Sequence, residues 1–192
     1  TSLREWNKYA TQKSGSINLN SGNKYYVEVL HKEAGGGDQV SVGWAKPGEG
    51  TSSPSEIVPG EYLSPYTPPI SGSQGCTPDG EITYQKWDDI TGTSVSDLTG
   101  NANFPDNPSS TGTLTSMEAA SNAGDNYGAR IIGTICAPET GDYYFWIAAD
   151  DNCELWLSAD DSEANESKIA YHNGWTSSRE WNKYSSQKSS AI

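Results

Sequence analysis

The residues best suited to chemistry are two adjacent acids, Asp150 and Asp151, which follow an apolar run at residues 143–149. Neighbouring carboxylates repel each other unless a cation lies between them. Carboxylate and carbonyl oxygens are the ligands that Ca²⁺ prefers. The pair therefore indicates either a calcium site or two acids that cap a strand end and accept hydrogen bonds from loop amides.

A second loop, KEAGGGDQ at residues 32–39, is also rich in oxygen ligands. Three consecutive glycines let backbone carbonyls approach an ion, and Asp38 adds a carboxylate. The same run could equally form a flexible hairpin turn. If calcium binds, its shell of about six to eight oxygens leaves room for sugar hydroxyls.

Three aromatic residues in AYHNGWTS could form the rim of such a site: Tyr171, His172 and Trp175. A ring face can cover the apolar face of a pyranose while polar atoms bind its hydroxyls. The alternative is that these side chains pack a surface loop against the body of the protein. Alternation within apolar runs assigns other tryptophans to the core: Trp44, Trp146 and Trp156.

The sequence lacks the motifs of common enzymes. It contains no Gly-x-Ser-x-Gly elbow and no HExxH helix, and neither His31 nor His172 lies in a motif with a nucleophile. A non-enzymatic protein is therefore predicted.

The charge balance is strongly acidic, with 12 basic and 25 acidic residues and a net charge of −13. Binding to nucleic acid requires clustered basic residues, so nucleic-acid partners are not expected. No apolar run is long enough to span a bilayer, so membrane insertion is not expected either.

Three cysteines, Cys76, Cys136 and Cys153, form no CxxC pair, and two histidines are too few to favour a zinc site. One disulfide is expected, with one cysteine free or paired between chains. Cys136 and Cys153 lie on segments predicted to be neighbouring strands, so they are the predicted pair.

Five short runs rich in β-branched and aromatic residues predict strands at residues 24–30, 39–44, 129–135, 143–149 and 153–159. No stretch sustains a helical period. The sequence thus predicts an all-β antiparallel sandwich.

The first 17 residues recur 175 positions later, at residues 176–192, with 12 of 17 identical. The repeat predicts three parts: the C-terminal part of one module at 1–66, a Pro/Ser/Thr linker at 67–79, and the N-terminal part of the next module at 80–192. The modules could be tandem units of one long chain or separate subunits that exchange strands. A third arrangement, in which the first part folds back on the last, is the least favoured because it leaves one copy of the repeated segment without a place.

Read in the order 80–192 and then 18–66, the sequence resembles the family of the amino-terminal domain of anthrax protective antigen, the PA fourteen module. The resemblance rests on YGARIIGTICAPETGDYYFWIAADDNCELWLS at 127–158, REWNKYSSQKS at 179–189 and LNSGNKYYVEVLHKEAGGGDQVSVGWAKPG at 19–48. It implies a jelly-roll-like β-sandwich of two antiparallel sheets in a secreted or surface protein. In the lectin branch of that family, it also implies a calcium clamp at Asp150 and Asp151 joined by a cis peptide. The resemblance further implies that Asp150, Asp151 and Gln39 contact the sugar.

These observations predict an extracellular, calcium-dependent carbohydrate-binding module of a repetitive adhesin. Its expected cofactor is Ca²⁺, and its expected partners are glycans and neighbouring copies joined head to tail. The alternative is a structural repeat or subunit of an extracellular filament, completed by strands from a neighbouring copy and without sugar binding.

Overall fold

The computed structural model describes residues 16–69 and 75–188. These residues form antiparallel strands and one short α-helix, α1 (Val95–Thr99). Within the same residues, three single-turn 3-10 helices lie at Gly60–Tyr62, Glu163–Asn165 and Ser185–Gln187. The strands are β1 (Ile17–Leu19), β2 (Lys24–Glu33), β3 (Gln39–Ala45), β4 (Glu56–Ile57), β5 (Leu63–Pro65), β6 (Ile82–Trp87), β7 (Ser110–Leu114), β8 (Tyr127–Cys136), β9 (Gly141–Asp150), β10 (Asn152–Ser158) and β11 (Glu166–His172).

Two sheets face each other. The smaller sheet has the order β1-β9-β3-β4, and the larger has the order β11-β10-β2-β8-β6-β7, with β5 also paired to β8. All of the pairings are antiparallel. The predicted all-β sandwich is confirmed, and each predicted strand lies within or close to an observed one.

The core follows from the alternation of side chains along strands. On β9, Tyr143, Phe145 and Ile147 enter the main core between the sheets. Their neighbours, including Trp146 and Ala148, face the other way and form a separate cluster.

The tryptophan assignments to the core hold for two of three residues. Trp44 and Trp146 are fully buried. Trp156 is only partly buried, beside a small cluster that contains Leu30, and the Lys168 ammonium lies 5.3 Å from its ring centroid. Its assignment to the core was therefore wrong, because β10 alternates between the core and the outer face of its sheet.

The two parts that flank the linker build one sandwich. From the first part, β2 lies between β8 and β10, and β3 pairs with β9. In this arrangement the first part of the chain folds back on the last, which was the least favoured of the three arrangements considered from the sequence. The division into repeat modules at 1–66, 67–79 and 80–192 stays a prediction, and most of the first repeated segment, residues 1–15, lies outside the described residues.

The disulfide joins Cys76 to Cys136, with a Cα–Cα distance of 5.7 Å, and Cys153 is free and buried. The predicted pairing of Cys136 with Cys153 was wrong. The reason is topological: β2 lies between β8, which carries Cys136, and β10, which carries Cys153. The linker is held there as well, since the Cys76 amide donates to the Gly22 carbonyl at 3.1 Å.

Candidate functional site

Three carboxylates meet where β9, β10 and β2 end or begin at one edge of the sandwich. Asp150 ends β9, Asp151 leads into β10, and Glu33 ends β2. The three groups offer oxygens that all lie within 4.8 Å of one another. The peptide bond between Asp150 and Asp151 is cis, as the resemblance implies. We call these three residues the acid cluster.

Glu33 was not anticipated from the sequence, although it lies in the loop singled out there. The useful signal was the strand pairing, because Asn152 of β10 lies opposite Lys32 of β2 and so brings Glu33 to Asp151. Periodicity alone cannot supply this register. A carboxylate at the end of a long apolar strand looks like an ordinary solvated residue until its neighbour across the sheet is known.

Glu33 is the most unusual member of the acid cluster, because it is fully buried. Within the described ranges, neither of its carboxylate oxygens makes a hydrogen bond of normal geometry. Burial, Asp151 and Asp150 together raise the pKa of Glu33 to about 7. Burial and the neighbouring Asp151 also raise the pKa of Asp150. A buried carboxylate without a partner is costly, and a cation between the three groups would relieve both the burial and the repulsion.

The ligand set offered by the acid cluster consists of oxygen atoms only. Carboxylate oxygens in a partly exposed, irregular turn suit the flexible coordination of Ca²⁺ better than the demands of Zn²⁺, which favours nitrogen and sulfur. The ammonium of Lys32 donates to the Glu33 backbone carbonyl and also interacts electrostatically with Glu33 and Asp151, so it offsets part of their negative charge. The residues present therefore fit a calcium ion.

Two buried histidines hold the strand end that carries Asp150. His31 Nε2 donates to the Asp150 carbonyl oxygen at 2.7 Å. His172 Nε2 accepts from the Ala149 amide at 3.2 Å, while its Nδ1 donates to the Gly174 carbonyl at 3.0 Å. Burial lowers the pKa of each imidazole to about 4. Both rings are therefore neutral at physiological pH, and their hydrogen bonds fix the strand end that carries Asp150.

These bonds give a pH prediction for stability. The folded pKa of His172 is lowered to about 4, whereas an exposed histidine titrates near 6.5. Between those values the unfolded chain binds the extra proton, so the stability that His172 contributes is present above pH 6.5 and is lost as the pH falls towards 4. The loss should reach about 3 kcal/mol. It should appear as a difference in the free energy of unfolding between the parent protein and His172→Gln, measured by chemical denaturation across this range.

Carboxylates whose pKa is raised change the free energy of unfolding with pH in the opposite direction. Both proteins contain these carboxylates, so their contribution cancels in the difference. A difference that stays constant from pH 7 to pH 4 would contradict the neutral, buried state of His172.

The sequence placed His172 at the rim of a sugar site together with Tyr171 and Trp175. The structure separates them, since His172 is buried while Tyr171 and Trp175 are the large hydrophobic residues that are 41% and 54% exposed. Lys183 connects Trp175 with the acid cluster. Its ammonium lies 3.2 Å from the Trp175 ring centroid and interacts electrostatically with Asp150.

Asp38 lies next to the acid cluster but is not one of its three members. Its two carboxylate oxygens accept hydrogen bonds from the Ala123 and Gly124 amides, both at 3.0 Å. The glycine loop is thereby tied to the segment that precedes β8. A second tie runs from the Gly36 amide to Asp125 Oδ1 at 3.2 Å. In this structure Asp38 orders the loop.

Gln39 lies directly opposite Asp150 in the pairing of β3 with β9. Its Nε2 donates to the Thr176 carbonyl at 3.2 Å, and its Oε1 is buried without a partner among the described residues. Gln39 also lines a pocket of about 410 Å³. The other lining residues are Glu118, Ala119, Ala120, Ser121, Ser178 and Arg179. The pocket thus opens beside the acid cluster and is lined mainly by small and polar side chains.

One protein of known activity that resembles this chain is an enzyme. The chain is 34% identical over 145 residues to a mouse (Mus musculus) protein named N-acetyl-beta-glucosaminyl-glycoprotein 4-beta-N-acetylgalactosaminyltransferase 1. The match covers 71% of this chain and 14% of the transferase, so the chain spans only a small part of that relative. The prediction of a non-enzymatic protein is contradicted by this similarity to part of a glycosyltransferase. The motifs that the sequence lacks belong to hydrolases and proteases, so their absence says nothing about a glycosyltransferase.

No solved structure matches the chain. In the part of the chain that the structure describes, no helix is long and apolar enough to cross a membrane.

The family assignment rests on the larger part of the sequence. The sequence profile of the PA14 domain matches residues 83–190, which span α1, the strands from β7 to β11, the turn at Asp150 and Asp151, and the second copy of the repeated segment. This agrees with the resemblance drawn from the residues of the strands and loops. The chain belongs to the PA14 domain family.

Proposed function

We propose that this chain is a calcium-dependent carbohydrate-binding module that works outside the cell. The observation that carries the proposal is the acid cluster, in which buried Glu33 makes no hydrogen bond of normal geometry within the described residues and shares its site with Asp150 and Asp151. Glycans are the proposed partner and Ca²⁺ is the proposed cofactor.

The acid cluster is arranged to bind an ion at an accessible point. Glu33 is buried, whereas Asp150 and Asp151 are partly exposed at the turn, so these three residues would hold a Ca²⁺ ion that remains accessible from the turn. The Ala34 amide donates to Asp151 Oδ2 at 3.2 Å and helps to fix that carboxylate. A bound Ca²⁺ would supply open coordination positions to the hydroxyls of a sugar.

Residues around the turn would then provide the selectivity. Trp175 is exposed beside the acid cluster and presents an indole face that can cover the apolar face of a pyranose. The pocket beside Gln39 offers hydroxyls from Ser121 and Ser178 to a second sugar unit. Tyr171, on the neighbouring strand β11, is the other exposed aromatic residue that could contact a longer glycan.

The named activity of the mouse relative suggests which sugars to test first. That protein is named for transfer of N-acetylgalactosamine to N-acetyl-beta-glucosaminyl-glycoprotein. Glycans that end in β-linked N-acetylglucosamine or N-acetylgalactosamine are therefore the first candidates, with mannose and galactose as comparisons.

A second role is favoured by the same relative. Its similar segment makes up a small part of a much longer transferase. This chain could serve a carbohydrate-active enzyme by holding glycoprotein acceptors near a separate catalytic domain. In an adhesin, by contrast, the same binding would act through repeated copies, which turn weak contacts into avidity. The two settings use the same site, so a single binding assay tests both.

The contact with sugar is tested by Trp175→Ala. Loss of the indole face should weaken glycan binding about 10-fold to 100-fold while leaving the affinity for Ca²⁺ unchanged, because Trp175 supplies no carboxylate. Glycan-array binding in the presence of Ca²⁺, with calorimetric calcium titration beside it, measures both quantities. Tyr171→Ala removes the other exposed aromatic ring and should leave binding of a monosaccharide unchanged, because Tyr171 is placed to contact only a longer glycan. Unchanged glycan binding in Trp175→Ala would remove this residue from the site.

A further inference from the structure

The second copy of the repeated segment, residues 176–188, is packed against the smaller sheet. The backbone of Lys188 forms an isolated antiparallel β-bridge with Trp146 of β9. On its other side, Trp146 pairs with Gly43 of β3, so Lys188 occupies the opposite edge of β9. That is the edge on which β1 lies, because Ile17 pairs with Tyr143. The segment therefore continues the edge position that β1 begins.

Specific contacts hold the segment there. Gln187 Nε2 donates to the Ile147 carbonyl at 2.8 Å, and the Thr176 amide donates to the Ala149 carbonyl at 2.7 Å. Lys188 Nζ donates to the Thr51 carbonyl at 3.0 Å. Trp181 is 4% exposed and covers the outer face of the sheet. It packs in one cluster with Ala45, Trp146 and Ala148. We call the surface under this segment the β9-edge groove, formed by Ala45, Thr51, Trp146, Ile147, Ala148 and Ala149.

Each side chain that makes these contacts has an identical counterpart 175 positions earlier. The counterparts are Thr1 for Thr176, Trp6 for Trp181, Gln12 for Gln187 and Lys13 for Lys188. The differences between the copies are changes between small residues, such as Ala10 against Ser185, or a change at residue 3, which is Leu where residue 178 is Ser. Residues 1–13 therefore carry the complete set of groups that the β9-edge groove contacts.

The register of β1 leads to the same place. Ile17 lies opposite Tyr143, and antiparallel pairing moves one residue along each strand in opposite directions. A chain extended backwards from Ile17 along β9 would bring residue 14 opposite Trp146. Lys188, the counterpart of Lys13, takes that position in the structure. Pairing continued at the register of β1 would therefore bring the first copy, within one residue, to the position that Lys188 takes.

We propose that residues 1–13 are a second, interchangeable occupant of the β9-edge groove. The groove holds one copy at a time, and only three residues separate Lys13 from β1, which already lies on the same edge. So short a tether gives residues 1–13 a high effective concentration at the groove of their own chain. When residues 176–188 leave, the identical segment at the start of the chain takes their place.

The exchange has a consequence for the neighbouring pocket. Residues 176–188 carry Arg179, which lines that pocket and forms an ion pair with Glu118 at 2.6 Å. Arg4 is the counterpart of Arg179 in the first copy. The pocket therefore keeps its basic residue whichever copy is docked.

A thermodynamic cycle in the full chain tests this proposal. The variants are Trp181→Ala, Trp6→Ala and the two together. Because the intact copy replaces the damaged one, each single change should lower the unfolding midpoint by less than about 3 °C, whereas the double change should lower it by about 10 °C. Trp87→Ala is the matched control, since Trp87 is 1% exposed but has no second copy, and it should show the large shift alone.

A full-sized midpoint shift in Trp181→Ala alone, with no further loss on adding Trp6→Ala, would overturn the proposal. If Trp181→Ala does not fold, the same cycle with Gln187→Ala and Gln12→Ala replaces it, and additive losses there would likewise contradict exchange.

Cross-linking identifies the occupant directly. In a Cys153→Ala background, Thr51→Cys is combined with Lys13→Cys and treated with a short bismaleimide. Intramolecular linkage between positions 13 and 51 should increase at least 5-fold when Trp181→Ala is added. A linkage that appears only between two chains would show that the occupant comes from a second copy, and no linkage at all would show that residues 1–13 do not dock. Either result would contradict exchange within the chain.

Discussion

Replacing Asp151 with asparagine should weaken calcium binding at least about 100-fold, equivalent to about 2.7 kcal/mol, and should abolish glycan binding with it. The change removes one negative charge from the acid cluster. It keeps the carbonyl-type oxygen that can accept the hydrogen bond from the Ala34 amide. Without calcium the variant should stay folded and be at least as stable as the parent protein, because one of three mutually repelling carboxylates is removed. Calorimetric calcium titration and thermal unfolding measure the two effects.

Glu33→Gln tests whether calcium binding requires Glu33 or only the pair of aspartates. Glu33 is buried and makes no hydrogen bond of normal geometry among the described residues, so a cation at the acid cluster would compensate its charge. The glutamine variant should lose calcium affinity as strongly as Asp151→Asn does. Asp142→Asn, at the far end of the same strand, removes an identical charge from an exposed site and should leave calcium binding intact. Calcium affinity that is retained in both cluster variants would contradict the assignment of the site.

The disulfide should carry the largest single contribution to stability. Cys76 and Cys136 are separated by 60 positions, and closing a loop of that length restricts the unfolded chain by about 4 kcal/mol in the chain-entropy account. Replacing both cysteines with serine should lower the free energy of unfolding by about that amount. Chemical denaturation of the purified variant measures the change.

Cys153→Ala is the control for losing a cysteine without losing the cross-link. Cys153 is fully buried, so its loss leaves a small cavity and should cost about 1 kcal/mol. A loss as small as this in the double serine variant would mean that the linker is held by its other contacts, such as the bond from Cys76 to Gly22, and not by the bridge.

The strands that could be predicted from the sequence are those buried on at least one face. β2, β3, β8, β9 and β10 carry dense β-branched and aromatic residues, so their pattern is visible without a structure. β7 has the sequence STGTL and is almost wholly exposed, so it has no apolar signal. β11 contacts β10 across a register shift between Leu155 and Trp156, which blurs the alternation. Such edge strands depend on their neighbours more than on their own residues.

The site was predictable only where its residues are adjacent in the chain. Asp150 and Asp151 stand out because two acids follow an apolar strand, and the structure brings both into the acid cluster. Glu33 is 117 positions from Asp150, and only the pairing of β2 with β10 brings it there. His172 was placed at the rim by its position between exposed aromatic residues. Side chains alternate along β11, so Tyr171 is exposed and His172 faces inward, where it accepts a hydrogen bond from the Ala149 amide.

The repeat was visible at once, but its structural meaning was not. The sequence favoured arrangements in which the first part of the chain serves another module. The structure instead has β2 inserted between β8 and β10 of the same chain. This closure depends on the long antiparallel register between β2 and β8, ten residue pairs from Lys24 to Glu33, which no local pattern reveals.

The most direct test of the central claim is a calorimetric titration of the full chain with Ca²⁺, repeated with N-acetylglucosamine, N-acetylgalactosamine, mannose and galactose. We predict saturable binding of one calcium ion, strengthened at least several-fold by one of these sugars because the ion and the sugar share a coordination shell. Folded protein that shows no calcium binding, or calcium binding that no glycan affects, would contradict a calcium-dependent carbohydrate site at Glu33, Asp150 and Asp151.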